Sequence, residues 1–217
     1  MSRRKLVLLP IALSLLFLAI HLREWWWPAA IPPPPTETAA DGALIPTRNL
    51  VDFHLTDQEG KDFTLADFRD RWTLIFCGYT NCPDVCPTTL GLMGEALALL
   101  ERMPGPPGNI QGLFLSVDPK RDTLERIREY TGYFHPRLRG ATGTPEEIAG
   151  FTRQLGATFL IKPPETPDNP DDYAVTHGSS VYFVDPQGRL RDLLPAPREP
   201  SEIVERLRQL KAFAGKE

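Results

Sequence analysis

Two short stretches, Trp72 to Phe76 and Ile110 to Val117, are almost wholly apolar. A strand open to water on one face alternates polar and apolar residues, whereas a strand covered on both faces reads as a continuous apolar run. These two stretches therefore predict central strands of a sheet with both faces covered. Around them, Val51, Phe53 and Leu55 alternate with Asp52, His54 and Thr56, the period of a half-exposed strand. Asp57 to Gly60 supplies a turn and Phe63 to Leu65 a return, so a hairpin is expected to open the domain. From Thr88 to Met103, Leu92, Ala96, Leu99 and Leu100 recur at helical spacing until Pro104 to Gly108 breaks the chain. A second helix is predicted from a cap at Asp122-Thr123 to about Phe134, and a third from Thr144-Pro145-Glu146-Glu147 to about Leu155. Ala157 to Ile161, Ser179 to Asp185 and Arg189 to Leu194 read as strands, and Ser201 to Phe213 as a closing amphipathic helix. Strands alternating with helices of this size mean an α/β domain.

The N-terminal end has a different character. Arg3, Arg4 and Lys5 precede an apolar stretch, and Trp25, Trp26 and Trp27 close it. Leu6 to Trp27 gives about 33 Å of helix, enough to cross a hydrocarbon core of about 30 Å. Tryptophans favour the membrane–water interface, and the basic end stays on the cytoplasmic side. Residues 1–27 are therefore expected to be a cytoplasmic tip and a single membrane anchor; a secretory signal cleaved near Ala29-Ala30 is the alternative. Residues 28–47, with four consecutive prolines from Pro32 to Pro35, read as an extended linker. Residues 48–217 form the folded body, outside the cytoplasm in a space that permits disulfides. The absence of an Arg- and Ser-rich amphipathic leader favours a bacterial inner membrane over a mitochondrion.

The net charge of the chain is −4, yet Arg3, Arg4, Lys5 and Arg23 make the first 23 residues +4, so the remainder carries −8. A body that acidic is a poor partner for phosphate backbones, and nucleic acid is excluded as a partner. Three cysteines are too few for a disulfide scaffold or a four-thiolate zinc site. Two of them, Cys82 and Cys86, lie in Gly78-Tyr79-Thr80-Asn81-Cys82-Pro83-Asp84-Val85-Cys86-Pro87, between a buried strand and a helix. If the first helical turn begins there, both thiols point to one side. A helix N-terminus lowers thiol pKa, and a pair of thiolates can close a disulfide or bind a soft metal such as Cu(I), zinc being the other candidate.

This segment resembles the Sco/SenC family. So do Ser116-Val117-Asp118-Pro119-Lys120-Arg121-Asp122-Thr123, Phe134-His135-Pro136-Arg137, Thr142-Gly143-Thr144-Pro145-Glu146-Glu147, His177 before a strand, and Val184-Asp185-Pro186-Gln187-Gly188. The resemblance spans roughly residues 48 to 213. It implies a thioredoxin-like fold, with a central mixed sheet flanked by helices, behind the membrane anchor. It also implies a metallochaperone that binds one copper ion and helps load the dinuclear copper site of cytochrome c oxidase. On that resemblance the copper ligands are Cys82, Cys86 and His177. The expected partners are the copper-accepting oxidase subunit and other copper chaperones or a thioredoxin-like reductant. Two departures stand beside the site: Asn81 where many relatives carry His, and Thr176 where many carry Asp.

The remaining candidates have plainer readings. Cys77, by strand alternation, is expected to be a buried small hydrophobe and not a third ligand. His21 belongs to the membrane end, His54 to the polar phase of its strand, and His135 to a helix end. Asp84 and Asp118 are acids near the proposed site that could steer a ligand, Asp122 a helix cap, and Tyr173 part of a partner surface. The rival function is a thiol–disulfide oxidoreductase using Cys82 and Cys86 as a redox-active pair on an acceptor's cysteines. It is weakened by three intervening residues where a thioredoxin motif has two, and it leaves His177 without a task.

Overall fold

The two apolar stretches are adjacent parallel strands in the middle of an eight-stranded mixed sheet. In the computed structural model, residues 43–103, 109–163 and 173–214 are described. The anchor expected at 1–27, the linker up to residue 42, and residues 164–172 of the loop before Tyr173 lie outside them. Among the described residues no helix is long and apolar enough to cross a membrane.

Strands β1 (Arg48–Asn49), β2 (His54–Asp57) and β3 (Asp62–Thr64) precede a 3-10 turn at Leu65–Phe68 and then β4 (Trp72–Gly78). Helix α1 (Val85–Arg102), β5 (Ile110–Ser116), α2 (Leu124–Phe134), β6 (Leu138–Thr142) and α3 (Pro145–Leu155) follow. The chain ends with β7 (Phe159–Ile161), β8 (Val175–His177), β9 (Val181–Val184), β10 (Arg189–Leu194) and α4 (Pro200–Ala214). The large sheet runs β1-β10-β9-β4-β5-β6-β2-β3, while β7 and β8 form a separate two-stranded ribbon. Strands β4, β5 and β6 are parallel, in a register that sets Phe76 beside Phe114 and Gly78 beside Ser116, and β9 joins β4 antiparallel. Helix α1 packs along β4 and β5 and against α4, and α2 along β6. Leu74, Ile75, Phe76, Leu113, Phe114 and Leu115 are completely buried. At about 1.5–3 kcal/mol for each fully buried large apolar side chain, these two strands anchor the core.

Local signals in the sequence set three of the helix ends. Thr123 accepts from the Arg126 amide at the start of α2. Thr144 and Glu147 form a reciprocal capping box at α3, with Pro145 in the first turn, and Gly156 ends that helix at φ 73°. Four expectations need correction. The stretch from Val51 to Phe53 is not strand. The β1–β10 pairing ends where Leu50 N donates to the Gly188 carbonyl; Val51 N turns instead to Gln154 Oε1 on α3, and Val51 is 64% exposed. Leu65 opens the 3-10 turn instead of closing the return strand, which ends at Thr64. Helix α1 starts at Val85, three residues before the expected Thr88. Strands β6 and β8 were not expected at all: both are short, and β6 carries Arg139 and Gly140 in place of an apolar pattern.

His54 is exposed, as its strand phase implies, but it has partners. Its Nδ1 lies 2.8 Å from Glu147 Oε1 on α3 and its Nε2 3.0 Å from Asp62 Oδ1 on β3. Hydrogen bonds to Glu147 and then Asp62 raise the His54 pKa above 6.5, while the Thr144 amide and then His54 lower that of Glu147 below 4.5. Because the histidine value is raised, its contribution to stability is complete below about pH 6.5 and disappears as pH rises through the folded value; on the acid side it fades as Glu147 is protonated. The stability difference between wild type and His54→Gln in urea unfolding is thus expected to be larger near about pH 5.5 than near about pH 8.5. An equal difference at both values would remove the ion-pair assignment.

Candidate metal centre

Strand β4 ends at Gly78, and the chain must turn at once into α1. The turn is pinned to the rest of the sheet by one buried carboxylate. Asp122 accepts hydrogen bonds from the Thr80 amide (2.9 Å), Thr80 Oγ1 (2.5 Å) and Ser116 Oγ (2.6 Å). Sequence reasoning made Asp122 a helix cap; Thr123 has that role, and Asp122 instead ties the cysteine turn to the end of β5. Asn81 Oδ1 accepts a further hydrogen bond from Arg126 Nη2.

Cys82 lies before the helix, and Cys86 is its second residue. The Cys86 amide donates to Cys82 Sγ at 3.5 Å, so the sulfur does what an N-cap side chain does. Asp84, at the formal N-cap, makes no side-chain cap bond and is exposed. The two sulfurs meet because one caps the turn holding the other, and not because both project from a helix. Cys86 Sγ sits on the backbone of Gly78. A Cβ at residue 78 would lie 2.6 Å from it and 3.1 Å from ring atoms of Phe76 and Phe114. Only glycine leaves room there.

The imidazole arrives from β8. Cys86 Sγ and His177 Nε2 are 3.1 Å apart, although 91 residues separate them in sequence. His177 Nδ1 lies 2.8 Å from the Gly178 carbonyl, an acceptor, so Nδ1 carries the proton and Nε2 presents its lone pair to the sulfurs. The Phe76 and Tyr79 rings meet the imidazole edge-on, each at 5.7 Å between centroids. Burial lowers the His177 pKa, keeping the ring neutral at pH 7. Burial also raises the Cys86 pKa, and the nearby Cys82 and Asp122 add to the rise. The expectation that the helix N-terminus lowers thiol pKa is overturned at Cys86: desolvation of a sulfur with no exposed surface outweighs the backbone dipole there. Without metal, Cys86 is a neutral thiol facing a neutral imidazole.

The Cys82, Cys86 and His177 donor atoms all lie within 4.8 Å of one another. Three ligands at bond lengths of about 2.0–2.3 Å around one ion stand about 4 Å apart in a trigonal arrangement. The cluster therefore fits a small soft ion after slight adjustment, and sulfur with imidazole suits Cu(I) or zinc. Cys77 stays outside this group, buried, with its pKa pushed up to about 12 by desolvation. Asp118 is fully buried and paired with Arg121 (2.5 Å), and Tyr173 donates from its hydroxyl to the same carboxylate. His135 caps the end of α2, buried beside Arg137 and Glu101, and Thr176 is exposed on β8. Beside the cluster a cleft of about 650 Å³ is lined by Tyr79, Asn81, Arg121, Lys162 and Tyr173. Of the residues that shape the centre, Gly78, Tyr79 and Asp122 all lie in motifs visible in the sequence, but spacing alone says nothing of what they touch.

A mixed α/β sheet of this topology, with two thiols and an imidazole gathered beyond the end of its central strand, defines a thioredoxin-like domain equipped to hold a soft metal ion. The chain belongs to the SCO1/SenC family, whose model matches residues 45–212. It is 37% identical over 158 residues to the protein SCO2 homolog, mitochondrial, of Bos taurus, covering 73% of this chain and 58% of that one. This chain thus spans little more than half the length of that curated relative. Among solved structures it resembles Bradyrhizobium japonicum ScoI with copper bound, at TM-score 0.65 and 34% identity over 75% of this chain and 99% of that one. It also resembles yeast Sco1 with copper bound, at TM-score 0.67 and 31% identity over 75% and 88% of the two chains.

Replacing Gly78 by Ala is expected to displace Cys86 Sγ. Stability in urea should fall by about 1–3 kcal/mol, the usual cost of overpacking, and alkylation of Cys86 should speed up. Unchanged values for both would show that the sulfur does not rest on the strand.

Proposed function

We propose that this chain carries copper as cargo, holds it through Cys82, Cys86 and His177, and helps supply the dinuclear copper site of cytochrome c oxidase. The observation that carries this reading is the 3.1 Å approach of His177 Nε2 to Cys86 Sγ, with Cys82 beside them. The copper-bound relatives support the choice of metal. Loading requires Cys86 to release its proton while the imidazole, already neutral and in the correct tautomer, needs no change. Two thiolates and one imidazole suit Cu(I); the same set with an added weak ligand suits Cu(II). Cargo leaves by ligand exchange with an acceptor subunit that offers its own Cys and His. The cleft beside Tyr79 gives that acceptor an approach to the metal side of the cluster. In this reading residues 1–27 anchor the chain in a bacterial inner membrane and residues 28–47 hold the 48–217 body outside the cytoplasm.

The dithiol also makes the site redox-sensitive. Loss of two electrons and two protons to an external oxidant joins Cys82 and Cys86 and removes both sulfur ligands; a thioredoxin-like reductant would restore them. The rival reading, in which the pair reduces an acceptor's disulfide, draws support from Cys82, the more accessible of the two sulfurs. It gives no role to an imidazole seated against Cys86.

Anaerobic titration of the full-length protein with Cu(I), followed by X-ray absorption, is expected to give one ion with two sulfurs and one nitrogen. Cys82→Ser, Cys86→Ser and His177→Ala should each weaken binding by more than the ~10–100-fold typical of losing an outer partner. Full copper retention in His177→Ala would defeat this reading, and reductase activity of metal-free protein that does not depend on His177 would favour the rival.

A further inference from the structure

The imidazole sits on a weak support. Among the described residues, strands β7 and β8, of three residues each, pair only with one another, and Leu160 and Ile161 are 60% and 43% exposed. An isolated two-stranded ribbon is marginal in water. Its packing on the main core comes through two apolar side chains, Val175, which is buried there, and Phe159, which lies against it. Something other than sheet pairing must fix where His177 stands.

That fixture is a cluster at the end of β5, reaching the chain just before β8. Arg121 Nε donates to Asp118 Oδ2 at 2.5 Å, and Arg121 Nη1 donates to the Tyr173 carbonyl at 2.8 Å. The guanidinium lies 3.7 Å from the centroid of the Tyr173 ring, and the Tyr173 hydroxyl donates to Asp118 Oδ1. Backbone, ring and hydroxyl of one residue are thus all held by a single buried ion pair. The other side of the same guanidinium reaches the Tyr79 ring at 5.6 Å, and Tyr79 abuts the His177 imidazole. Tyr173 lies four residues before His177 and Tyr79 three residues before Cys82. Arg121 therefore grips the approaches to both halves of the centre.

We propose that Asp118, Arg121 and Tyr173 form a clasp that positions the β7–β8 ribbon, so that opening it carries His177 away from the sulfurs while leaving the dithiol in place. This makes Arg121 a positioning residue acting through Tyr173, and it rests on the reading of His177 as a ligand only where copper is concerned. Charge-assisted hydrogen bonds between buried partners dominate its strength. The ribbon can open locally without unfolding the main sheet.

The test uses full-length, metal-free protein. Hydrogen exchange of the Lys162 amide, which donates to the Ala174 carbonyl, and of the β7 and β8 amides is compared with that of β4 and β5. In Tyr173→Phe, and in the double variant Asp118→Asn/Arg121→Met that removes both charges together, ribbon exchange is expected to rise about tenfold or more while β4 and β5 stay protected. Arg121→Lys, which keeps charge but not the fork, should fall between. In the copper-loaded double variant the nitrogen neighbour should disappear from the X-ray absorption signal, the two sulfurs remain, and added imidazole restore the nitrogen. Wild-type ribbon exchange in both variants, or equal loss of protection in β4 and β5, overturns the clasp. If wild type binds no copper but the exchange results stand, the copper reading falls and the clasp survives as a device that places the ribbon.

Discussion

The centre depends on a sulfur atom resting directly on a strand. Helix α1 has to start within a few residues of the end of β4, and Cys86 is folded back until its side chain occupies the space that a β-carbon at residue 78 would fill. The placement needs a glycine below, aromatic walls from Phe76 and Phe114 on either side, and a turn tied down by Asp122. With the sulfur fixed, Cys82 follows, because its own sulfur accepts from the Cys86 amide in the first helical turn. The imidazole is then the one member of the Cys82, Cys86 and His177 cluster whose place is set from elsewhere in the chain.

Electrostatics and packing oppose one another here. A helix start favours a thiolate, and a dry pocket disfavours it; at Cys86 the pocket wins. Burial acts in the opposite sense on His177, where it removes a proton from the ring's repertoire instead of retaining one on sulfur. The result is that Cys86 and His177 face one another as neutral groups. A pocket of this kind discriminates against chance protonation of the ring and against indiscriminate thiol chemistry at Cys86.

Much of the fold was legible in the chain because its signals are local. The apolar runs of β4 and β5, the capping box at Thr144 and the glycine after Leu155 announce themselves in four to eight residues. The dithiol was legible for the same reason, and the resemblance supplied His177. The misread parts were those decided at long range. Val51 to Phe53 has the alternation of a strand, but among the described residues no strand pairs with it. Strand β6, with Arg139 and Gly140 in it, is a strand because β5 and β2 flank it. Asp122 looked like an ordinary cap, and only the fold brings Thr80 and Ser116 to its carboxylate. His177 was expected just before a strand and lies at the end of one, in a ribbon separate from the main sheet.

The apolar wall around Cys86 bears on which valence of cargo it would tolerate. A univalent ion between two thiolates leaves one uncompensated negative charge, whereas a divalent ion leaves none. The Phe76 and Phe114 rings offer no hydrogen bonds to spread that surplus, which leaves the task to the Cys86 amide at Cys82 Sγ and to the backbone and hydroxyl of Tyr79. Valence preference at such a centre would therefore depend on how well that lining solvates an anion as much as on its sulfur and nitrogen donors.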